Sequence, residues 1–361
     1  MAQLHDFAIL CDEGKLLSVP QKYIEITTNA GSVFVRRASV PLLLDLDSII
    51  FDVDGVLIDV SQSIERVHSQ TAEIYFRLAG WTNTAGMVMP SDIAHFKLAG
   101  GFNSDWHLAY AWLLVYLFKS HKYSSKDGDA LKCTSPTLSE FADSLAEKGG
   151  GLESAVNAIR QSCNPAEWAS IQEAWDCQSL QRVFVEVYSG DLCPEIYGFK
   201  PRIVTGPGLI HMDRPILDRC LLSPKLKRGI ATGRTAGETK IGLELMGWSD
   251  LFPSECIVTE DDGFQKPDPR VLRLCVERIN AEIPIYVGDT PDDLLTVRRY
   301  NDEYGSFLAC NVLTGPMGTD MASRLRLMEQ EADIIADNVN AALIAIEECL
   351  GGNICLAEKP K

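Results

Sequence analysis

Two aspartates follow a short apolar segment near the start of the chain. The segment Ser48–Phe51 has the length and β-branched content of a buried strand, and Asp52 and Asp54 come directly after it. In an open α/β sheet, the carboxyl ends of the strands border the cleft where ligands bind. Two positions apart on an extended chain, the carboxylates project the same way, and their mutual repulsion favours a bound cation. This feature predicts a reactive site that uses Mg²⁺.

The same pattern, Asp-Val-Asp-Gly, also occurs in calcium loops and in ordinary turns. An EF-hand loop has Gly at its sixth position and Glu at its twelfth, whereas here Gly55 is fourth and Gln62 or Ser63 stands near the twelfth. A calcium loop is therefore disfavoured. A solvated turn is the alternative for an isolated Asp-x-Asp, so the interpretation depends on partners elsewhere in the chain.

A second strand-like segment ends in groups that could bind an anion. The segment Gly229–Arg234 reads as a strand that ends in a hydroxyl at Thr232 and a backbone N–H at Gly233, just before a helical stretch from Ala236. A hydroxyl and a backbone N–H at such a junction can hold a phosphoryl group.

Two later segments supply a cation and further acids. Lys266 stands just ahead of a helix start at Asp268, where an ammonium group can meet a phosphate. The strand-like segment Ile283–Gly288 then runs into Asp289, with Asp293 one helical turn later. Each segment alone is typical of a turn or a helix start. Their common setting at strand ends favours one shared site.

Together these residues resemble the four motifs of the haloacid dehalogenase superfamily, in a phosphatase branch similar to phosphoglycolate phosphatases that carries an inserted helical cap. The residues that carry the resemblance are Asp52, Asp54, Thr232, Lys266, Asp289 and Asp293. The resemblance extends from about residue 48 to about residue 347. It implies an α/β fold in which a Rossmann-like parallel sheet has helices on both faces.

The resemblance also implies catalytic roles. Asp52 would be the nucleophile that forms an aspartyl-phosphate, and Asp54 would protonate the leaving oxygen and then activate water. Thr232 would hold the phosphoryl oxygens together with nearby backbone N–H groups. Gly55 and Gly233 are also expected to bind substrate. Lys266 would offset the phosphoryl charge and keep the nucleophile ionised.

The expected magnesium site uses the same acids. Its ligands would be the carboxylates of Asp52 and Asp289 and the backbone carbonyl of Asp54. Asp293 is counted among the metal-site residues, where it would orient metal-bound water. Asp292 is expected to point elsewhere on its helix and to be solvated.

The composition limits the partners and the location. The chain has 361 residues and a net charge of −17, which repels nucleic acid and makes a small phosphorylated metabolite more plausible than a polyanion. We find neither a segment long enough to span a membrane nor the regions of a signal peptide, so we expect no membrane partner and a cytoplasmic location. Eleven scattered cysteines without a C-x-x-C pair favour reduced thiols.

The chain is predicted to divide into an N-terminal extension, a catalytic core in two segments, an enlarged helical cap and a loose tail. Their bounds are 1–44 for the extension, 45–60 and 216–350 for the core, 61–215 for the cap and 351–361 for the tail. In the extension, Tyr23–Thr28 and Ser32–Arg37 alternate as a β-hairpin. The hairpin could extend the edge of the sheet, form a lid or make a homo-oligomer contact.

The second core segment alternates between strands and helices, which predicts a parallel sheet. Strands are expected near 228–231, 256–258, 283–287, 306–313 and 332–338, and helices near 236–246, 269–279, 291–300, 321–331 and 340–349. Cap helices are expected near 61–78, 106–118, 137–147 and 165–188, with loops around 120–135 and 147–165.

One stretch of the cap, Lys97–Trp106, combines paired glycines with aromatic, amide and charged side chains. Phe102, Asn103 and Asp105 are therefore expected to bind substrate, as a specificity loop does. The alternative is a glycine turn before a helix, with Asp105 as its cap and Trp106 in the core.

These features favour a Mg²⁺-dependent phosphatase that hydrolyses a small phosphomonoester, such as a sugar phosphate, through an aspartyl-phosphate on Asp52. A phosphomutase of the β-phosphoglucomutase type would use the same acids and return the phosphoryl group to a bound sugar. A phosphotransferase to another hydroxyl is a related alternative. A non-catalytic phosphate-binding protein is disfavoured by the intact Asp54, Thr232 and Lys266.

Overall fold

The computed structural model describes residues 8–10, 16–18, 22–102, 104–314, 318 and 320–351. The chain divides into two compact units, which we call the sheet unit and the helical unit. The sheet unit comprises Met1–Asp59, Pro215–Arg234 and Trp248–Lys361, and the helical unit comprises Val60–Arg214 and Thr235–Gly247. Within the described residues, we find no helix with the length and apolar character that a membrane crossing needs.

The sheet unit is built on one eight-stranded sheet. The strands of the protein are β1 (Ala8–Leu10), β2 (Leu16–Ser18), β3 (Tyr23–Thr28), β4 (Gly31–Arg36), β5 (Ser48–Phe51), β6 (Ile58–Asp59), β7 (Arg214–Pro215), β8 (Lys227–Ala231), β9 (Ile257–Val258), β10 (Pro284–Gly288), β11 (Leu308–Val312) and β12 (Ile334–Ala336). The large sheet has the spatial order β3, β4, β12, β11, β10, β5, β8 and β9. The six strands from β12 to β9 are parallel. The predicted α/β fold class is confirmed.

Helices flank this sheet. Those of the sheet unit are α1 (Val40–Leu44), α12 (Arg270–Ile279), α13 (Pro291–Glu303), α14 (Met321–Glu329) and α15 (Val339–Leu350). All four residues of β5 and all five of β10 are buried, as expected for central strands of a parallel sheet covered on both faces. Because these strands lie side by side, the residues after them reach the same edge of the sheet.

The N-terminal hairpin extends the edge of the sheet. Strand β4 pairs antiparallel with β12, and β3 pairs antiparallel with β4. Phe34 and Tyr23 are buried in the core of this unit, and the Tyr23 hydroxyl donates to the carbonyl of Ala332 at 2.8 Å. Burial of these two rings gives the hairpin the packing that an isolated hairpin lacks. Of the three predicted roles, the structure shows the edge extension.

The helical unit packs around a core of aromatic and aliphatic side chains. Its helices are α2 (Ile64–Leu78), α3 (Pro90–Ala99), α4 (Asp105–Tyr123), α5 (Gly128–Lys132), α6 (Leu138–Ala146), α7 (Gly151–Gln161), α8 (Pro165–Ala174), α9 (Cys177–Ser189), α10 (Cys193–Tyr197) and α11 (Ala236–Met246). Helix α4 supplies the fully buried Trp112 and Tyr116, which pack against Phe76 of α2. This central helix is apolar on most sides, as a helix in a core must be.

The structure corrects three of the predicted elements. The helix expected over 165–188 is interrupted before Cys177, because Asp176 begins a new helix by accepting a hydrogen bond from the Ser179 N–H at 2.9 Å. The loops expected around 120–135 and 147–165 contain α5 and α7. Of the predicted loose tail, residues 352–361 lie outside the described part of the chain.

Helix α11 was assigned to the catalytic core, and the structure places it in the helical unit instead. A Cβ at Gly237 would lie 3.1 Å from the Cα of Ile196, so only glycine allows this approach to α10. The Tyr197 hydroxyl also donates to the Glu238 carboxylate. These contacts are distant in sequence, which is why the motif order alone misassigned the helix.

Candidate active site

Asp52 lies at the carboxyl end of β5 and is buried. Its N–H donates to the carbonyl of Val287 at 2.9 Å, which continues the parallel pairing with β10 by one residue. One carboxylate oxygen, Oδ1, accepts from the Val53 N–H at 2.8 Å, and Oδ2 accepts from the Lys266 ammonium at 2.7 Å. The predicted nucleophile is therefore held in one orientation.

Lys266 contacts two acids from different elements: Asp52, which follows β5, and Asp293, which lies in the first turn of α13. Its Nζ lies 2.7 Å from Asp52 Oδ2 and 2.7 Å from Asp293 Oδ1, and only 3% of its side chain is exposed. Its third neighbour is the Tyr286 hydroxyl at 3.1 Å, which itself lies 2.9 Å from the carbonyl of Ala231. The ammonium thus has three oxygen partners, which is the number of protons it can donate.

The charges in this cluster stabilise one another. Burial raises the pKa of Asp52 to about 6, and the Lys266 ammonium opposes that shift. Burial alone would lower the pKa of Lys266, but the carboxylates of Asp293 and Asp52 raise it well above its usual value. Burial would likewise raise the pKa of Asp293, and Lys266 holds it below its ordinary value. Lys266 is therefore protonated and Asp293 ionised at neutral pH.

Three of the predicted site acids form a buried group that could hold a metal ion. One oxygen from each of Asp52, Asp289 and Asp293 lies within 4.8 Å of the others. Asp293 Oδ2 accepts from the N–H groups of Asp289 at 3.0 Å and Thr290 at 2.8 Å, and from the Thr290 hydroxyl at 2.7 Å. With Oδ1 on Lys266, both oxygens of Asp293 already accept hydrogen bonds. That arrangement suits the orienting role predicted for Asp293 better than direct ligation.

Gly55 shapes the turn after the nucleophile. Its φ is +69°, and a Cβ at this position would lie 2.7 Å from the carboxyl carbon of Asp289. Glycine therefore makes room for a candidate metal ligand. Its N–H donates to the carbonyl of Ile58 at 2.9 Å, so it is engaged within the turn. A role of Gly55 in substrate binding stays a prediction.

Thr232 and Gly233 follow β8, the neighbour of β5 on the side opposite β10. Thr232 is buried, and its N–H donates to the carbonyl of Val258 at 3.0 Å. Its hydroxyl oxygen accepts from the Arg234 N–H at 3.3 Å. Gly233 is exposed. The structure thus brings the predicted phosphoryl-binding segment to the strand edge that carries Asp52.

Two residues that the motifs left without a role contact the predicted site residues. The guanidinium of Arg234 donates to Asp54 Oδ1 through Nε at 2.9 Å and through Nη2 at 2.5 Å. Tyr286 supports Lys266 from within β10. The sequence marks both residues as candidates. Arg234 directly follows the Thr-Gly pair, and the hydroxyl of a tyrosine inside a buried strand needs a hydrogen-bond partner.

Asp292 differs from its prediction. It lies in the first turn of α13 and is only 6% exposed, so the expectation of a solvated side chain is wrong. Residues in the first turn of a helix can turn toward the sheet as readily as toward solvent. Sequence spacing from Asp289 does not decide which of these occurs.

The predicted specificity loop has a mixed outcome. Phe102 is 2% exposed and packs edge-on against Phe96 in the core of the helical unit, so the prediction that its side chain binds substrate is wrong. Asn103 lies outside the described residues. Ser104, not Asp105, caps α4, because its side chain accepts from the His107 N–H.

Asp105 instead joins a small charged network within the helical unit. Its Oδ1 lies 3.3 Å from Lys97 Nζ and 3.3 Å from Nε2 of the buried His68. The other ring nitrogen of His68 accepts from the indole N–H of Trp112 at 3.2 Å. Burial lowers the pKa of His68, and although burial opposes it, Lys97 and His68 hold the pKa of Asp105 below its usual value. A role of Asp105 in substrate binding stays a prediction.

The paired glycines before Phe102 have a packing role. A Cβ at Gly101 would lie 2.9 Å from the backbone of Gly151, and the Gly151 N–H donates to the carbonyl of Gly100 at 2.9 Å. A Cβ at Gly150 would likewise lie 2.7 Å from the carbonyl carbon of Gly100. These glycines let two backbone segments cross, which is sufficient reason for their presence.

The comparisons with known proteins agree with this geometry. A family model described as haloacid dehalogenase-like hydrolase matches residues 219–302, the segment that contains Thr232, Lys266 and Asp289. A solved structure, phosphatase Tt82 from Thermococcus thioreducens, is 27% identical and has a TM-score of 0.52, and the match covers 84% of this chain and 99% of that one. Both matches support the predicted haloacid dehalogenase superfamily.

The chain also has a relative among curated proteins. It is 22% identical over 259 residues to an imidazoleglycerol-phosphate dehydratase of Phytophthora nicotianae. The match spans 70% of this chain but only 41% of that protein. The predicted superfamily and hydrolase class are confirmed.

Proposed function

We propose that this protein is a Mg²⁺-dependent phosphatase that hydrolyses a small phosphomonoester through an aspartyl-phosphate on Asp52. The observation that carries the proposal is the placement of the Asp52 carboxylate at a strand end. It is fixed there by Lys266 and clustered with two further acids. A nucleophile held in one orientation beside groups that bind a transferring phosphoryl is the arrangement that this chemistry needs.

The donor set fits Mg²⁺. The carboxylates of Asp52, Asp289 and Asp293 bring three negative charges and Lys266 brings one positive charge, which leaves two negative charges in a buried site. A divalent cation balances that remainder, and Mg²⁺ prefers hard oxygen ligands of this kind. Asp52 and Asp289 would hold the ion, which, when bound, neutralises charge on the phosphoryl group.

In the first step, a carboxylate oxygen of Asp52 attacks phosphorus. An oxygen–phosphorus bond forms to Asp52 as the bond from phosphorus to the leaving oxygen breaks. The leaving oxygen takes a proton from Asp54, so that an alcohol departs rather than an alkoxide. The Thr232 hydroxyl would donate to a phosphoryl oxygen, and the Lys266 ammonium offsets charge next to the nucleophile.

In the second step, water attacks the phosphorus of the aspartyl-phosphate and gives a proton to Asp54. The bond between phosphorus and Asp52 breaks, which releases inorganic phosphate and restores the Asp52 carboxylate. Asp54 ends the cycle protonated, with the proton that it took from water, and it gives that proton to the leaving oxygen of the next substrate. Protons balance over one turnover.

Two features support a small substrate, and we propose that the protein acts on it in the cytoplasm. The net charge of −17 repels polyanions such as nucleic acids at long range. The larger segment of the helical unit, Val60–Arg214, lies in the chain between Asp52 and Thr232, where the phosphatases that this chain resembles carry a cap, and we propose that this unit selects the substrate. A sugar phosphate or a similar metabolite fits these features.

Phosphate release from a panel of sugar, polyol, amino-alcohol and glycolate phosphates tests the proposal. We expect Mg²⁺-dependent release that is lost in chelator, and Asp52→Asn should fall below about a tenth of the wild-type rate with the fold intact. Asp250→Asn, which changes an exposed aspartate paired with Arg219, is the matched control and should retain activity. Full activity in chelator would contradict the metal argument. Isomerised sugar phosphate in place of free phosphate would identify a mutase.

A further inference from the structure

We propose that Arg234 is a positioning residue that fixes the orientation of Asp54 for proton transfer. The inference rests on the proposed phosphatase function and adds a residue to it. The guanidinium meets Asp54 Oδ1 through two donors, Nε at 2.9 Å and Nη2 at 2.5 Å. The Arg234 side chain is 5% exposed, whereas 29% of the Asp54 side chain is exposed. A buried cation thus holds a carboxylate that reaches the surface of the sheet unit.

Both partners are anchored through their own backbone segments. The Arg234 N–H donates to the Thr232 hydroxyl at 3.3 Å, and the Arg234 carbonyl accepts from the Glu260 N–H at 3.0 Å. Asp54 lies in a turn in which the Ile58 N–H donates to the carbonyl of Val53 at 2.9 Å. The ion pair therefore joins two segments that are each fixed independently. Arg234 can therefore fix the orientation of the Asp54 side chain.

Arg234 contacts only one of the two carboxylate oxygens of Asp54 in these hydrogen bonds. Both guanidinium donors are directed at Oδ1, and a carboxylate has a second oxygen with its own lone pairs. With Oδ1 held, Oδ2 is the oxygen left to exchange a proton with the leaving group and with water. A planar guanidinium can make two bonds to one carboxylate, whereas the ammonium of a lysine acts as a single point charge. The geometry therefore depends on arginine at this position.

The positioning by Arg234 should affect the two steps in which Asp54 transfers a proton. As the bond from Asp52 to phosphorus forms and the bond to the leaving oxygen breaks, the proton moves from Asp54 to that oxygen. In hydrolysis, a proton moves from water to Asp54. An aspartate that samples several rotamers makes these transfers less often, because the reacting atoms must first align. Substrates with a good leaving group need less protonation and depend less on this alignment.

Two aryl phosphates that differ in their leaving group test this role. We expect Arg234→Gln to lower kcat/KM for phenyl phosphate by about 100-fold, the scale of general-acid catalysis, and for 4-nitrophenyl phosphate by less than about tenfold. Arg234→Lys keeps the charge and should fall between wild type and Arg234→Gln. If Arg234→Gln fails to fold, Arg234→Lys is used to compare the losses in kcat/KM for the two aryl phosphates. Arg219→Gln, which breaks an exposed pair with Asp250, is the control and should leave both rates unchanged.

A double-mutant cycle with Asp54→Asn separates positioning from phosphate binding. If Arg234 acts through Asp54, adding Arg234→Gln to Asp54→Asn should cost less than about threefold further. An equal loss for both aryl phosphates, or the full loss in the Asp54→Asn background, overturns the positioning role and leaves the phosphatase proposal standing. If wild-type protein releases no phosphate from either compound and forms no phospho-enzyme, the proposed function fails and this inference fails with it.

Discussion

Replacing Lys266 by methionine tests how the buried acids are balanced. Methionine has a similar shape and no charge, and the change removes an ammonium that lies 2.7 Å from both Asp52 and Asp293. Because the Lys266 side chain is only 3% exposed, water cannot take the place of the ammonium next to the two carboxylates. Removing one partner of a buried ion pair costs about 3–5 kcal/mol, so the sheet unit should lose that much free energy of unfolding in chelator.

Hydrogen exchange at the amides of β5 and β10 is the assay, because it reports on the sheet unit by itself. The matched control is Lys227→Met, which removes a lysine 2.9 Å from Asp47 whose side chain is 41% exposed. An exposed pair contributes about 0–1 kcal/mol, so the control should change protection little. Mg²⁺ should restore part of the loss in the Lys266 variant, since a ligand at 100 times its Kd stabilises by about 2.7 kcal/mol.

If Lys266→Met lowers the stability of the sheet unit no more than Lys227→Met does, the ammonium does not balance the acids. If Mg²⁺ stabilises neither wild type nor variant, the acids do not form a magnesium site.

Three further predictions address other parts of the molecule. Gly55→Ala should weaken Mg²⁺ binding in calorimetric titration by more than about tenfold, since its Cβ would displace Asp289 and its positive φ adds about 1 kcal/mol of strain; unchanged affinity would contradict the turn geometry. Burial lowers the pKa of His68 in the fold below the 6.5 of the unfolded chain, so the free energy of unfolding should fall as pH drops below 6.5, by up to about 1.4 kcal/mol per pH unit. Urea unfolding from pH 7 to pH 5 should show a smaller fall in His68→Gln. Phe102→Ala should destabilise the helical unit by about 3–5 kcal/mol in hydrogen exchange, and a selective change in substrate preference without destabilisation would restore its predicted binding role.

The convergence of Asp52, Thr232 and Asp289 could be predicted from the sequence. Each residue follows an apolar run short enough to be a strand, and parallel strands end at one edge of a sheet. The pairing of strands turns this local pattern into a shared site. The same rule predicts the mostly parallel sheet and the cluster of Asp52, Asp289 and Asp293.

The contacts between side chains could not be predicted in the same way. Arg234 reaches Asp54 because of the rotamers and the turn that follow β5, and no spacing rule relates residues that lie 180 positions apart. Tyr286 supports Lys266 for a similar reason. Both require the three-dimensional arrangement of the strand ends before their partners can be named.

Phe102 and α11 show a second limit. A phenylalanine after two glycines is typical of a loop, and only its contact with Phe96 shows that it belongs to a core. Helix α11 follows Thr232 in sequence, yet it packs on α10 through Gly237 and Glu238. In both cases a contact with a distant segment overrides the local pattern.

Trapping the phosphoryl group on the enzyme tests the central claim most directly. Wild-type protein is mixed with radiolabelled 4-nitrophenyl phosphate and Mg²⁺, quenched in acid within milliseconds, and digested for mass spectrometry. We expect label on the peptide that contains Asp52, more label in Asp54→Asn, where activation of water is slowed, and none in Asp52→Asn. Phosphate release without label on Asp52, or label on another residue, would contradict the account.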